Sequence, residues 1–231
     1  DGNSDLQPDL IWAKARTSTS YTDNHFIVDS SRGRLKGLVP NDTSAETTTT
    51  GNESQQAERD LESFDTDGFT VGIVNSTAAL NASSASNVGW QWKANGGTTS
   101  SNTNGSITST VQANTDAGFS IVTYTGTGSD STVGHGLGVA PSAIIIKSRS
   151  NALPWVVWTA GMAGTTSVME LNTTAAEQTV SNYWYNGFSS TTFGLGSGSY
   201  SHNTNNYTYV AYAFAEKQGY SKFGSYVGNG N

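Results

Sequence analysis

The side chains that could do chemistry in this chain of 231 residues are few and scattered. Only 13% of residues are charged, 11 basic against 18 acidic, and there is no cysteine. Thiol nucleophiles, thiolate metal sites and disulfides are therefore excluded together. The three histidines, His25, His135 and His202, have no histidine partner two or four residues away, so neither a metal pair nor a nucleophile triad is spelled out. Gly134-His-Gly-Leu-Gly138 precedes a strand pattern, whereas a phosphate loop must lead into a helix N-terminus. Asp65-Thr-Asp67-Gly68 opens like a calcium loop but lacks the glutamate that closes one, and an Asx-type turn before a strand explains it better. Glycoside hydrolysis needs two carboxylates roughly 5 to 10 Å apart. Between residues 94 and 169 only Asp116 and Asp130 are acidic. No catalytic residue, no metal site and no cofactor is expected.

Binding chemistry is better represented. Lys14 and Arg16 stand two apart and so share one strand face, as do Lys147 and Arg149. They could form a basic patch for an anionic glycan, but rim ion pairs with a carboxylate such as Asp29 or Glu46 are favoured, because the feature occurs twice. Six Trp, ten Tyr and eight Phe supply flat apolar faces. The cluster Tyr183-Trp184-Tyr185 lies among Asn, Ser and Gly, a setting in which sugar rings stack and hydrogen-bond. Trp184, Tyr185 and Tyr200 are the candidate ligand-binding residues. For Trp184 and Tyr200, both in turn-like sequence, packing inside the fold is an equal alternative. Trp90, Trp92, Trp155, Trp158, Tyr212 and Phe214 sit in strand patterns and are assigned to the core.

The elements that must position these groups are strands. Ser 31, Thr 31, Asn 20 and Gly 26 make up nearly half the chain, which excludes a helix bundle or coiled coil. Phe119, Ile121, Thr123 and Thr125 alternate with Ser120, Val122, Tyr124 and Gly126, a period of two, and Ile144-Ile-Ile146 and Trp155-Val-Val-Trp158 are short apolar runs. Residues 53–61 form the one helix-prone stretch, read as an insertion loop with two helical turns. Residues 95–117 read as a flexible polar linker leading into one extended segment. The net charge of −7 opposes docking on a phosphate backbone, so no nucleic acid is expected. No apolar run approaches the roughly 18 residues of a spanning helix, so no membrane insertion is expected. A start at Asp1 without a leader reads as a mature or excised soluble product.

The chain also matches itself. Pro8-Asp-Leu-Ile-Trp-Ala-Lys14-Ala-Arg16 aligns with Pro141-Ser-Ala-Ile-Ile-Ile-Lys147-Ser-Arg149. In the same order, Phe26-Ile-Val28 meets Trp155-Val-Val157, Asn41–Glu46 meets Asn172–Glu177, Asp67-Gly-Phe69 meets Asn186-Gly-Phe188, and residues 88–94 meet 210–216. A shorter echo joins Gly118-Phe-Ser120 and Tyr124-Thr-Gly-Thr-Gly128 to Gly219-Tyr-Ser221 and Tyr226-Val-Gly-Asn-Gly230. The expected organisation is a first unit over 1–94 lacking its opening strand, a linker over 95–117, a complete unit over 118–218, and the opening or edge strand of a further repeat over 219–231. The inner faces are expected to carry Ile11, Ile27, Trp90 and Trp92 in the first unit, and Ile144, Ile146, Val157, Tyr212 and Phe214 in the second.

Residues 114–128, Val133-Gly-His-Gly-Leu-Gly-Val-Ala-Pro141, and residues 209–230, together with residues 8–16, resemble a repeat domain of unknown biochemical function. That domain occurs in large virion structural proteins, notably tail-fibre-like proteins, of marine bacteriophages including those of cyanobacteria. Related sequences often have Cys where this chain has Gln91 and Ala213, and lack an insertion as long as 47–60. The resemblance implies an all-β fold of two tandem lectin-like β-sandwich units of jelly-roll type. It further implies a non-enzymatic virion surface or fibre protein, extracellular on the particle and contributing to attachment to host glycan. The expected partners are other copies of itself, as a homo-oligomer, trimeric or head-to-tail, other virion proteins, and a host surface glycan. A polysaccharide depolymerase and a purely architectural filament or shell component without ligand are the alternatives.

Overall fold

The computed structural model describes residues 5–17, 24–48, 61–72, 81, 85–197 and 201–230. Two compact units divide the chain, residues 1–99 and 100–231. The fold is all-β: the described residues contain no helix, and the main sheets are antiparallel and fit a β-sandwich. The helix-prone stretch lies outside the described residues except for Leu61, which is buried.

The first unit is built on β1 (Leu10–Ala15), which lies between β2 (His25–Asp29) and β7 (Asn87–Trp92). Two short antiparallel strand pairs follow β2 in the chain: β3 (Lys36–Gly37) with β4 (Thr47–Thr48), then β5 (Ser63–Asp65) with β6 (Gly68–Thr70). Alternation along β1 sends Ile11 and Ala13 to one face, where they meet Phe26, Val28 and Leu61, with Phe64, Phe69 and Val71 packed against them. Burying each such aliphatic or aromatic side chain stabilises the fold by roughly 1.5–3 kcal/mol. Trp12, Ile27 and Trp90 share the other face, since Trp12 is opposite both Ile27 and Trp90.

The second unit contains β8 (Ser100–Asn102), β9 (Ser109–Asn114), β10 (Phe119–Thr125), β11 (Ser131–Gly134), β12 (Ala143–Ser148), β13 (Val156–Thr159), β14 (Ser167–Glu170), β15 (Gln178–Thr179), β16 (Thr192–Leu195) and β17 (Thr208–Phe214). Eight of these form one sheet in the order β15-β14-β13-β12-β17-β10-β9-β8, while β11 and β16 pair separately. Val122, Tyr124, Ile144, Ile146, Val156, Trp158, Tyr209, Ala211 and Ala213 lie in one buried cluster that also takes in Val133, Phe193 and Leu195 from the β11–β16 pair.

Two expectations are corrected. Residues 100–102, read as linker, are strand β8, and the one extended segment expected after the linker is β9. Their alternating Ser, Thr and Val complete a sheet edge, with β9 pairing β10 and β8 pairing β9. Composition alone misleads here, because hydroxyl-rich sequence suits an edge strand as well as a loop. Nor does every residue assigned to the inner faces lie fully inside. Trp90 is 45% exposed and Trp92, Val157 and Phe214 are half-buried, whereas Ile11, Ile27, Ile144, Ile146 and Tyr212 are buried. Ile11 and Ile27 occupy opposite faces of their sheet, as do Ile144 and Tyr212, because their register partners differ by one residue.

Candidate functional site

The loops between β15, β16 and β17 of the second unit gather most of the sequence candidates. Asn182 and Asn186 both take the left-handed backbone conformation, φ 57°, which asparagine tolerates better than most residues. They bracket Tyr183, Trp184 and Tyr185. Asp130 pins the start of this turn, and Asn203 ties the loop that carries Asp130. Asp130 accepts from Asn182 Nδ2 at 2.8 Å and from the Ser197 backbone N–H at 2.6 Å. Asn203 donates to Ser129 O at 2.8 Å, and its own Oδ1 accepts from Thr127 N–H at 3.0 Å. Hydrogen bonds from Ser197, then Asn182, hold the Asp130 carboxyl below its ordinary pKa.

Within this frame Trp184 is 2% exposed, and its indole N–H donates to Ser167 O at 3.0 Å. It meets Phe188 at 5.2 Å and His202 at 5.0 Å between ring centroids. Trp184 is a core residue with a satisfied polar edge, which corrects the sugar-platform reading for that side chain: a buried ring offers no face to a ligand. Tyr185 is half-buried beside the exposed Asn186. Tyr200 lies outside the described residues.

The histidines take structural places. His202 is fully buried, stacked on Tyr183 at 4.4 Å, and bonds Tyr183 O through Nε2 at 3.0 Å. Burial presses its pKa down to about 3, so the ring is neutral and Nε2 carries the proton that it donates. His135 is buried likewise, with Nδ1 accepting from Leu137 N–H at 3.2 Å and Nε2 facing Ser189 O at 3.2 Å, and burial lowers its pKa. Both rings tie loops together.

In the first unit the expected rim pairs are differently partnered. Asp29 and Glu46 are both taken by Arg32, at 2.6 and 2.8 Å, with the Arg32 and Asp29 side chains fully buried. Lys14 instead donates to Ala15 O at 2.8 Å, and Lys147 makes the corresponding bond to Ser148 O at 3.0 Å. The Asp65–Gly68 segment is a tight hairpin turn, and the Asp65 oxygens accept from the hydroxyls of Ser63 and Thr70, each at 2.7 Å, which lowers the Asp65 pKa. Among the described residues no group of three or more His, Asp or Glu is arranged to hold a metal ion.

Sequence reasoning missed two features. Asp9 is fully buried and accepts four hydrogen bonds, from Ser30 Oγ, Ala94 N, Gly96 N and Gly97 N, at 2.6 to 3.0 Å. Its place just before an apolar run was the available signal. The second is an aromatic face: Trp12 Nε1–H donates to His25 Nδ1 at 2.9 Å, and Trp90 meets Trp12 edge-on at 6.2 Å. Burial, then the Lys14 charge, lowers the His25 pKa.

Hydrogen bonds lower the pKa of Asp65, Asp130, Glu177 and Glu216. The loop end of the second unit is thus equipped for contact through amides, hydroxyls and the Tyr185 ring. No curated protein and no solved structure matches the chain. A family model described as a domain of unknown function, DUF7483, matches residues 3–231, and the chain belongs to that family.

Proposed function

We propose that the two units are copies of one lectin-like, jelly-roll-type β-sandwich repeat. We further propose that the chain is a non-enzymatic bacteriophage virion surface or fibre protein that contributes to attachment to host glycan. The repeat register supports the first part. β1 lies between β2 and β7 as β12 lies between β13 and β17. Leu10 opposite Trp92 corresponds to Ala143 opposite Phe214, and Gly37 opposite Thr47 to Val168 opposite Gln178. The side chain of Asn41 accepts from His25 N–H at 2.8 Å, and that of Asn172 from Trp155 N–H at 2.7 Å. Under this register Phe26-Ile-Val28 matches Val156-Val-Trp158, one residue later than the sequence alignment alone sets it.

The resemblance to tail-fibre-like repeats and the exposed loop end around Tyr185, Asn182 and Asn186 support attachment. Rigid sheets that carry variable loops at one end are a general way to present a binding surface. The test is to incubate the protein with host envelope glycans, score retention on a glycan array and assay new reducing ends. Retention without turnover is the expected result. Turnover would establish an enzyme, and absence of any retention would leave an architectural component. Antibody labelling of particles tests the virion location.

A further inference from the structure

Four asparagines of the chain precede a glycine: Asn95, Asn104, Asn186 and Asn229. Glycine has no Cβ to shield its backbone nitrogen. That nitrogen can therefore attack the asparagine Cγ wherever the side chain and the intervening peptide are free to turn. Two of the four pairs are held. Gly96 N–H donates to Oδ2 of the buried Asp9 at 3.0 Å, and the Asn95 carbonyl accepts from Thr98 N–H at 3.1 Å. Gly187 N–H donates to Trp184 O at 2.8 Å, and Asn186 is fixed in the left-handed conformation. Attack at either pair must first break a hydrogen bond. Asn229-Gly230 lies outside every strand.

Asn104-Gly105 differs from both held pairs. It lies in the bend between β8 and β9, and Asn104 is exposed. Only the Asn104 N–H is anchored, donating to Asn102 Oδ1 at 2.9 Å. The Asn104 carboxamide, the Asn104 carbonyl and the Gly105 N–H meet no hydrogen-bond partner among the described residues. The chain that follows is clamped to β11. Ser106 N–H donates to Thr132 Oγ1 at 3.0 Å, Thr132 N–H to Ser106 Oγ at 2.9 Å, and Ile107 N–H to Thr132 O at 3.0 Å. A Cβ on Gly105 would fall on the Thr132 carbonyl, so the main chain at 105 has no room for an added group.

We propose that Asn104 is a self-modification site, at which the chain converts its own asparagine to isoaspartate. The Gly105 nitrogen bonds to Asn104 Cγ and gives up its proton to solvent base. The bond from Cγ to Nδ2 breaks, Nδ2 leaves as ammonia, and a cyclic imide remains. Water then adds to one of the imide carbonyls. Breaking the bond between the ring nitrogen and Cγ gives aspartate. Breaking the bond to the main-chain carbonyl carbon gives isoaspartate, whose main chain runs through Cβ and Cγ and is one methylene longer. That methylene has no place against Thr132, so isoaspartate at 104 releases Ser106 and Ile107 from β11. Ile107 is buried, and its release opens one margin of the second unit's core. Either product adds a negative charge to a chain whose net charge is already −7.

Ageing the folded full chain at mildly alkaline pH tests this, with peptide mapping to read each Asn-Gly pair and an isoaspartate methyltransferase to label the product. Asn104 is expected to convert at least about tenfold faster than Asn95 and Asn186, the ratio that about 1.4 kcal/mol of extra barrier gives. In denaturant the three rates are expected to converge, because Gly96 and Gly187 lose their acceptors. Asn104 converting no faster than the held pairs in the folded chain, or a ratio that persists in denaturant, would overturn the proposal. Freshly prepared Asn104→Asp supplies the charge without the longer main chain. Amide exchange at Ile107 and Thr132 is expected to quicken in the isoaspartate-containing fraction and to stay unchanged in Asn104→Asp. Equal loss of protection in both would refute the release from β11.

Discussion

Replacing Asp9 by alanine should destabilise the first unit by about 2–4 kcal/mol. The carboxylate lies at the start of β1 and holds the chain that leaves β7: Oδ2 accepts from Ala94 N–H at 2.7 Å and Gly96 N–H at 3.0 Å, and Oδ1 from Gly97 N–H at 2.8 Å and Ser30 Oγ at 2.6 Å. The four bonds are not equal. Ala94 is buried, so its N–H loses its acceptor with no water to replace it, a loss of about 1–3 kcal/mol. Gly96 and Gly97 are exposed and rehydrate, so they and the Ser30 hydroxyl together add about 1 kcal/mol. For a unit of this size each kcal/mol moves the midpoint roughly 4–8 °C, so the first unit should melt at least about 8 °C lower. Asp9→Asn retains one acceptor oxygen and turns an amide N–H toward backbone donors, so its loss should be intermediate. Amide exchange reads the same perturbation locally, with protection falling at Ala94 and Gly97 while β12 and β17 stay protected. A midpoint shift below about 2 °C together with unchanged protection at Ala94 would refute the reasoning, because the loop would then be held by something other than this carboxylate.

Four further outcomes are expected. Trp155→Ala, at a fully buried site, should cost about 3–5 kcal/mol in chemical denaturation, whereas Trp90→Ala at a 45% exposed site should cost under about 1 kcal/mol. His202 has a folded pKa of about 3, below its unfolded value near 6.5. The folded protein therefore binds fewer protons than the unfolded one, its stability is full above about pH 6.5, and it falls by up to about 1.4 kcal/mol per pH unit on acidification toward pH 3. His135 adds in the same direction, and His202→Gln should flatten the upper part of that slope in melting curves taken across pH. Gly194→Ala should leave the second unit unfolded or displaced by circular dichroism, since a Cβ there would fall on the Tyr185 carbonyl, a backbone group that cannot step aside. Tyr185→Ala should lower retention on glycans while leaving the melting temperature within about 3 °C, and unchanged retention would remove Tyr185 from the binding surface.

The fold was more legible in the sequence than the candidate site. The two-residue alternation through 119–125 and the apolar runs at 144–146 and 155–158 announced β10, β12 and β13, because a strand's period is local and needs no partner to be seen. The hydroxyl-rich residues 100–102 hid β8, since an edge strand and a loop draw on the same residue types, whereas β9 was visible as one extended segment. Tyr183-Trp184-Tyr185 was found as a cluster, yet which ring faced inward was not written in it: the two left-handed asparagines, together with Ser167 and His202 from distant parts of the chain, put Trp184 in the core.

What the sequence determined by itself is the all-β class, the lack of thiol chemistry and the order of the self-similar blocks, each a property of composition or of spacing along the chain. Tertiary structure alone decided which equivalent residue is covered. Trp90 and Tyr212 hold matching positions in β7 and β17, but β10 flanks β17 and no described strand flanks β7 on that side. One ring is left in solvent and the other is buried, because burial depends on what packs from elsewhere and not on the strand's own residues.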